Sequence, residues 1–169
     1  MRRRAFLALL PAATLAGCGF KLRRIDALPF ASVYVDAPPD SAVAQRIRDA
    51  LADTKSVGVA GAAPDAEAVL KLEHEVRTKA ILSLSGAGRV TEYRLGLQLS
   101  YSVSGPDGRQ WAVPETIELV RDMTYDDAQV LAKGAEEQLL YRDMEETAAL
   151  RILRRLQDIP PGGVAADAP

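Results

Sequence analysis

The sequence predicts an α+β protein of two layers, with elements in the order β-α-β-β-β-β-α. Residues 70–84 and 91–103 alternate between apolar and polar side chains, which is typical of long, half-buried strands. Residues 126–158 are helical in composition and carry one apolar stripe. An apolar sheet face and two amphipathic helices satisfy each other only when both helices pack on that face. We therefore expect a mostly antiparallel sheet of four to five strands, covered on one side by two helices.

The first predicted elements are short. Residues 32–36 (Ser-Val-Tyr-Val-Asp) are rich in strand-forming residues and are followed by two prolines, which indicates a strand that ends there. Asp40 and Ser41 are suitable N-caps for a helix. The apolar face of that helix comprises Ala44, Ile47, Ala50 and Leu51. Residues 57–59 predict a brief second strand.

Three long strands follow, joined by short turns that contain glycine. The even positions from 70 to 84 are mainly apolar, whereas the odd positions from 71 to 79 are charged. We therefore expect the even positions, including His74, to face the core through to Leu84. After the glycines of residues 85–88 the inward positions are Thr91, Tyr93, Leu95, Leu97, Leu99, Tyr101 and Val103. A turn at residues 105–108 leads to a third strand through Trp111 and Leu119, which predicts an antiparallel meander.

The last predicted element is a long helix over residues 126–158. Asp126 and Gln129 have the spacing of a capping box, although Gly134 also allows the ordered helix to begin after it. Its apolar stripe comprises Leu140, Tyr141, Met144, Ala148 and Ile152. Three further leucines fall outside this stripe, namely Leu139, Leu150 and Leu153. They indicate either partial burial or contact with a partner.

The N-terminus has the pattern of a lipoprotein signal peptide. Three arginines at residues 2–4 precede a short apolar run, which is too short to span a membrane. The run ends in Leu15-Ala16-Gly17-Cys18, which resembles the lipobox in which the cysteine thiol is acylated and becomes the first residue after cleavage. Cys18 is the only cysteine in the chain. The arginines fit both a general secretory signal and a twin-arginine signal.

These boundaries predict the domain organisation. Residues 1–17 are a removable signal peptide, residues 18–159 form a single periplasmic domain, and residues 160–169 are a disordered tail. Cleavage leaves 18 basic against 23 acidic residues and a net charge of −5. This charge is a poor match to nucleic acid, so any acidic ligand would be bound by local cationic clusters.

The residues do not assemble a catalytic set. His74 is the only histidine, and we interpret it as a core or edge residue rather than a metal ligand. With no cysteine–histidine cluster for zinc and no phosphate-binding loop, we expect neither a metal nor a cofactor. The sequence therefore predicts a non-enzymatic binding or assembly module. Lys79, Arg89 and Arg94 lie in or near the predicted hairpin, where they form either an ordinary solvated loop or a contact with a partner.

Three stretches together resemble the LptE family of lipopolysaccharide-assembly lipoproteins. They are Leu15-Ala16-Gly17-Cys18-Gly19-Phe20 with Leu22-Arg23, Gly88-Arg89-Val90-Thr91-Glu92-Tyr93, and Val130-Leu131-Ala132-Lys133. The order of elements agrees from Ser32 to the end of the long helix. The resemblance implies a non-enzymatic lipoprotein that plugs the outer-membrane barrel LptD, helps it to assemble and binds lipopolysaccharide through basic residues.

The resemblance also implies which residues act. Cys18 is the lipid anchor, and Gly19 lacks the aspartate that retains lipoproteins in the inner membrane, which favours the periplasmic side of the outer membrane. Lys133 matches one basic position of the family. The second, at the hairpin tip, falls on Gly86, so we expect Arg89, three residues further on, to substitute for it, with Arg94 nearby. Two alternatives stay open: a lipoprotein that chaperones another envelope complex without binding lipopolysaccharide, and a small periplasmic hydrolase.

Overall fold

The computed structural model describes residues 28–54 and 56–163. Within these ranges the elements follow the predicted order. The strands are β1 (Ser32–Asp36), β2 (Gly58–Val59), β3 (Ala68–Leu84), β4 (Val90–Ser104) and β5 (Gln110–Thr124). The α-helices are α1 (Ala42–Thr54) and α2 (Val130–Gln157), and short 3₁₀ turns lie at Ala63–Asp65 and Asp127–Gln129.

The strands form one sheet in the order β2-β1-β3-β4-β5. β1 is parallel to β2 and to β3, and α1 makes the crossover between β1 and β2. The long strands β3, β4 and β5 form the predicted antiparallel meander. β1 pairs with β3 only over Ala68–Lys71, so the rest of β3 has a neighbouring strand, β4, on one side only within the described residues.

Both helices pack on one face of this sheet and share a single core with it, which confirms the two-layer α+β prediction. Ser41 caps α1 as predicted, since its Oγ accepts a hydrogen bond of 3.0 Å from the N–H of Ala44. Ala44, Ile47 and Leu51 are buried on the predicted face.

The start and the stripe of α2 differ in detail from the prediction. Asp126 caps the 3₁₀ turn by accepting from the N–H of Ala128, and α2 then begins at Val130 without a side-chain cap and runs unbroken through Gly134. Leu153 is buried, whereas Leu139 and Leu150 are 58% and 39% exposed. Leu153 therefore belongs to the core, whereas Leu139 and Leu150 remain open to contact with a partner.

Trp111 closes the core at the end of the sheet where the β4–β5 turn lies. Its ring centroid is 6.1 Å from that of Phe30. A Cβ on Gly163, which has φ 82°, would lie 2.8 Å from the Trp111 Cα, so only glycine fits there. We call this the base end, defined by Trp111, Phe30, Gly163 and the turn Gly105–Arg109. The described chain begins at residue 28, two positions before Phe30, and ends at Gly163, so it both begins and ends at the base end.

The strand β3 contains a bulge that the alternating pattern does not predict. The register shifts between Glu73 and Val76, where His74 and Glu75 oppose a single residue of β4. His74 has φ 54°, in the left-handed region that most side chains avoid, and it is exposed. The prediction that His74 faces the core is therefore wrong.

The bulge exchanges the two faces of β3. Leu70 and Leu72 are buried as predicted, but beyond the bulge Arg77 and Lys79 pair with Leu97 and Leu95 of β4. Those two leucines are buried under the helices, and directly opposed residues share a face. From Arg77 to Ile81 the odd positions therefore face the helices, and the even positions lie on the open face of the sheet. The predicted burial of positions 76–84 is wrong.

Candidate functional site

The predicted ligand-binding cations lie toward one end of the molecule, opposite the base end. We call it the hairpin end, defined by the turn Ser85–Arg89, the strand ends beside it and the first turns of α2. The N–H of Tyr125 donates a hydrogen bond of 2.8 Å to the carbonyl of Thr91, which holds the end of β5 against the start of β4. Lys133 of α2 joins the same group through Thr124. Residues distant in sequence thus meet at this end.

Lys133 is held tightly between the helix and the sheet. Its Nζ lies 3.0 Å from Thr124 Oγ1 and 2.8 Å from Glu136 Oε2, one turn along α2. Its side chain is only 14% exposed, whereas that of Glu136 is 43% exposed. The ammonium therefore has a fixed position, and its charge is already partly balanced by a carboxylate that faces solvent.

Arg89 and Arg94 occupy different surroundings. Arg89 is exposed in the turn, where Gly88 adopts φ 77° and the N–H of Arg89 donates to Ser85 Oγ. It makes no ion pair within the described residues. Arg94 instead forms a two-bond pair with Asp122 at 2.8 and 3.0 Å on the open face of the sheet, which lowers the pKa of the Asp122 carboxyl. The structure therefore places Arg89 and Lys133 at one end and Arg94 on the face turned away from the helices.

Lys79 is a further cation of this site, and the sequence pattern assigned it to the wrong face. The bulge turns it toward α2, where its Nζ lies 2.6 Å from Glu137 Oε2 and 4.3 Å from the centre of the Tyr93 ring. The hydrogen bond to Glu137 raises the pKa of the Lys79 amine. Tyr93 is itself fixed by an edge contact with Tyr125, at 5.0 Å between centroids. Lys79 thus lies on the helix face of the sheet, as Lys133 does.

A buried carboxylate fastens the middle of α2. Glu145 is 2% exposed and accepts from Arg46 of α1 at 3.1 Å and from Arg77 of β3 at 2.5 Å. Arg77 also lies 5.3 Å from the centre of the Tyr141 ring, and the Tyr141 hydroxyl donates to the carbonyl of Thr78. Three elements meet at one charge, so the body of α2 is fixed relative to both α1 and β3.

Exposed apolar side chains accompany the cations at the hairpin end. Leu131 is 88% exposed at the start of α2, and Ile81 and Leu84 are each 57% exposed near the end of β3. Leu82 and Val130 are also exposed. Exposed apolar groups beside fixed cations suit an amphipathic ligand, because each part of such a ligand would find a matching contact.

Other kinds of site find little support in the described part of the chain. Residues 28–54 and 56–163 contain no cluster of three or more histidine, cysteine or acidic residues that could hold a metal ion. Among the same residues, no helix combines the length and apolar character that crossing a membrane requires. Cys18 and the predicted signal peptide lie outside the described residues.

Comparison with known proteins gives a consistent result. A family model described as LptE, lipopolysaccharide-assembly, matches residues 30–156. A protein named LPS-assembly lipoprotein LptE from Pectobacterium atrosepticum is 30% identical over 168 residues, covering 94% of this chain and 88% of the relative. Its namesake from Photorhabdus laumondii is 29% identical, covering 92% and 87%. The solution structure of an uncharacterized lipoprotein B from Nitrosomonas europaea superposes with a TM-score of 0.72 at 35% identity, covering 83% of this chain and 91% of that one.

Proposed function

Because the chain belongs to the LptE family of lipopolysaccharide-assembly proteins, we propose that it binds lipopolysaccharide and acts as the plug and assembly partner of the outer-membrane barrel LptD. The observation that carries this proposal is the match over residues 30–156, which includes the whole sheet and nearly all of α2. The relatives are named as assembly lipoproteins, which agrees with a role that is not catalytic. In this role the protein would serve the transport of lipopolysaccharide to the cell surface.

The hairpin end is the proposed binding surface. Lipopolysaccharide carries phosphate groups next to acyl chains, so its receptor needs fixed cations beside apolar contacts. Lys133 and Arg89 provide the cations, and Leu131 is among the exposed apolar side chains beside them. Charge-assisted hydrogen bonds from a few placed cations are strong enough to hold phosphate on a protein whose net charge is negative.

Replacement of both Lys133 and Arg89 by glutamate tests the binding surface. We expect affinity for lipopolysaccharide to fall by about tenfold or more, because one charge-assisted hydrogen bond contributes ~1.5 kcal/mol or more. Association with the barrel should be retained, because other surfaces of the plug would carry that contact. Binding is measured with purified lipopolysaccharide, and barrel association by co-purification from the envelope.

The matched control replaces Arg109 and Arg154 by glutamate. Both arginines are exposed and lie toward the other end of the molecule, in the β4–β5 turn and the last turn of α2. Equal loss in both double variants would show that net charge alone governs binding and would contradict the proposed surface. Unchanged binding in the Lys133 and Arg89 variant, with the barrel still recovered, would favour an assembly role without lipopolysaccharide binding.

Cys18 is the proposed lipid anchor on the periplasmic side of the outer membrane. Several acyl chains give stable attachment where a single chain is marginal, so loss of the acceptor thiol should abolish anchoring. We expect Cys18→Ser to appear in the soluble periplasmic fraction of cells that lack the barrel, when fractions are compared by immunoblotting. A Cys18→Ser protein that stays with the membrane in those cells would rule out the anchor.

A further inference from the structure

The first turns of α2 are attached to the sheet mainly by charged contacts. No residue of 130–140 is buried, and the buried face of the helix begins only at Tyr141. The helix start has no side-chain cap, and a Cβ built on Gly134 would meet nothing within 4 Å. Leu140, at its end, packs partly against the core. The residues before it are tied to the strands by the contact of Lys79 with Glu137 and that of Lys133 with Thr124. A segment with few buried contacts opens at low cost in free energy.

The two lysines that contact this segment or belong to it, Lys79 and Lys133, are each paired with a glutamate of α2. Glu137 Oε2 lies 2.6 Å from Lys79 Nζ, and Glu136 Oε2 lies 2.8 Å from Lys133 Nζ. The two glutamates are consecutive, whereas the lysines come from β3 and from α2 itself. A phosphate that approaches either ammonium therefore competes with a carboxylate for the same N–H donors.

From this arrangement, and on the basis of the proposed function, we propose that Glu136 and Glu137 are built-in competitors for the lipopolysaccharide site, and that Lys79 is a binding residue of that site. A phosphate group exchanges with the carboxylates at Lys79 and Lys133. The exchange breaks the Lys79–Glu137 tie and frees the first turns of α2 from the sheet. Binding and local opening of the helix are thereby coupled at one end of the protein.

Physical chemistry supports exchange in this direction. Each pair has one member that keeps contact with solvent, Glu136 at 43% exposed and Lys79 at 36% exposed. Lysine–glutamate pairs that water can reach contribute little, so either carboxylate is displaced at low cost. A phosphate carries more charge and more acceptor oxygens than a carboxylate, so it gains more from the same ammonium. The Tyr93 ring beneath Lys79 holds the cation in place after its glutamate leaves. Glu145 keeps the body of α2 fixed, so opening is confined to the residues before Tyr141.

The test is a charge-removing double substitution, Glu136→Gln with Glu137→Gln. Without the competing carboxylates, affinity for detergent-solubilised lipopolysaccharide should rise about fivefold, the factor that two weak ion pairs correspond to. The same lipopolysaccharide stripped of its phosphates should show no gain. The matched control, Glu118→Gln with Glu146→Gln, makes the same change in net charge but removes no ion pair within the described residues. Equal gains in both double variants would overturn the proposal.

A third variant separates the failure of this inference from failure of the proposed function. Lys79→Gln with Lys133→Gln should lose lipopolysaccharide binding. If it does, and the Glu136 and Glu137 variant binds as the wild type does, the site is correct and the exchange is wrong. If neither variant changes binding, the proposed binding surface itself is wrong. Circular dichroism and thermal unfolding verify that each variant is folded.

Hydrogen exchange supplies an independent measurement. In the wild-type protein, the amides of residues 130–140 should exchange faster once lipopolysaccharide is added, because the tie to β3 is broken. In the ligand-free Glu136 and Glu137 variant they should already exchange faster than in the ligand-free wild type. Slower exchange of these amides on ligand addition would overturn the release of α2.

Discussion

Replacement of Trp111 by alanine is expected to lower the free energy of unfolding by about 3–5 kcal/mol, the usual cost of truncating a large buried aromatic side chain. Trp111 is 7% exposed and packs against Phe30 from the start of the described chain and Gly163 from its end. Removing the ring leaves a cavity between them that neither can fill, because Gly163 has no side chain. Urea unfolding followed by circular dichroism measures the loss.

A conservative control accompanies this prediction. Trp111→Phe keeps an aromatic ring against Phe30 and should cost clearly less than Trp111→Ala. The alanine variant should also be cut faster by protease near Leu28–Phe30, because that segment loses its packing partner. An alanine variant as stable as the phenylalanine variant would contradict this prediction. It would show that the base end collapses around the gap and that Trp111 does not hold the first and last described segments of the chain together.

Replacement of Glu145 by alanine is expected to lower the free energy of unfolding by about 2 kcal/mol, because Arg46 and Arg77 lose the buried charged acceptor to which both donate. Arg46 and Arg77 both depend on this carboxylate, and their side chains are only 32% and 44% exposed. The loss should be accompanied by weaker packing of α1 against α2, since Arg46 bridges them through Glu145. Urea unfolding again provides the measurement.

The neighbouring residue gives the matched comparison. Glu146 is exposed and makes no ion pair within the described residues, so Glu146→Ala removes the same side chain from the same helix with an expected change within about 0.5 kcal/mol. Glu145→Gln should be intermediate, because the amide oxygen still accepts a hydrogen bond without carrying charge. If Glu145→Ala and Glu146→Ala cost the same, the cluster contributes no net stability.

Much of the fold is predictable from the sequence, because periodicity and turn chemistry act locally. The alternation around Leu95, Leu97 and Leu99 predicts correctly which side of β4 is buried. Ser41 before an amphipathic run predicts the start of α1 for an equally local reason. The arrangement of both helices on one sheet face follows from having a single apolar face to cover.

The bulge at His74 could not be predicted, because no residue there favours a positive φ. Glycine or asparagine would have been a signal, and histidine is a weak one. The apolar pattern even continues with unchanged parity across the bulge, through Val76 and Ala80, so hydropathy alone predicts the wrong face. The bulge leaves the apolar side chain of Val76 48% exposed and turns the charged Lys79 toward the helix. The departure from the pattern falls on the strand that carries Lys79, a residue of the candidate site.

The candidate site was predictable only in part. Lys133 and Arg89 are recognisable in the sequence as single cations, but the pairing of Lys79 with Glu137 depends on how α2 lies on the sheet. Glu136 and Glu137 look like ordinary solvated residues in the sequence, because consecutive acids on a helix usually are. Only the distances show that each of them pairs with a cation of the candidate site, Glu137 with Lys79 and Glu136 with Lys133.

The position of the base end determines how far from its membrane anchor the protein can extend. The described chain begins there at Leu28, ten residues after the proposed anchor at Cys18, so a lipid on Cys18 would tether the protein by the end opposite the hairpin. The long strand β4 runs between the two ends over 15 residues, roughly 50 Å at the usual rise. A bilayer with its headgroups is about 40–45 Å thick. A protein tethered at one leaflet by its base end is therefore long enough for its hairpin end to reach the level of the other leaflet.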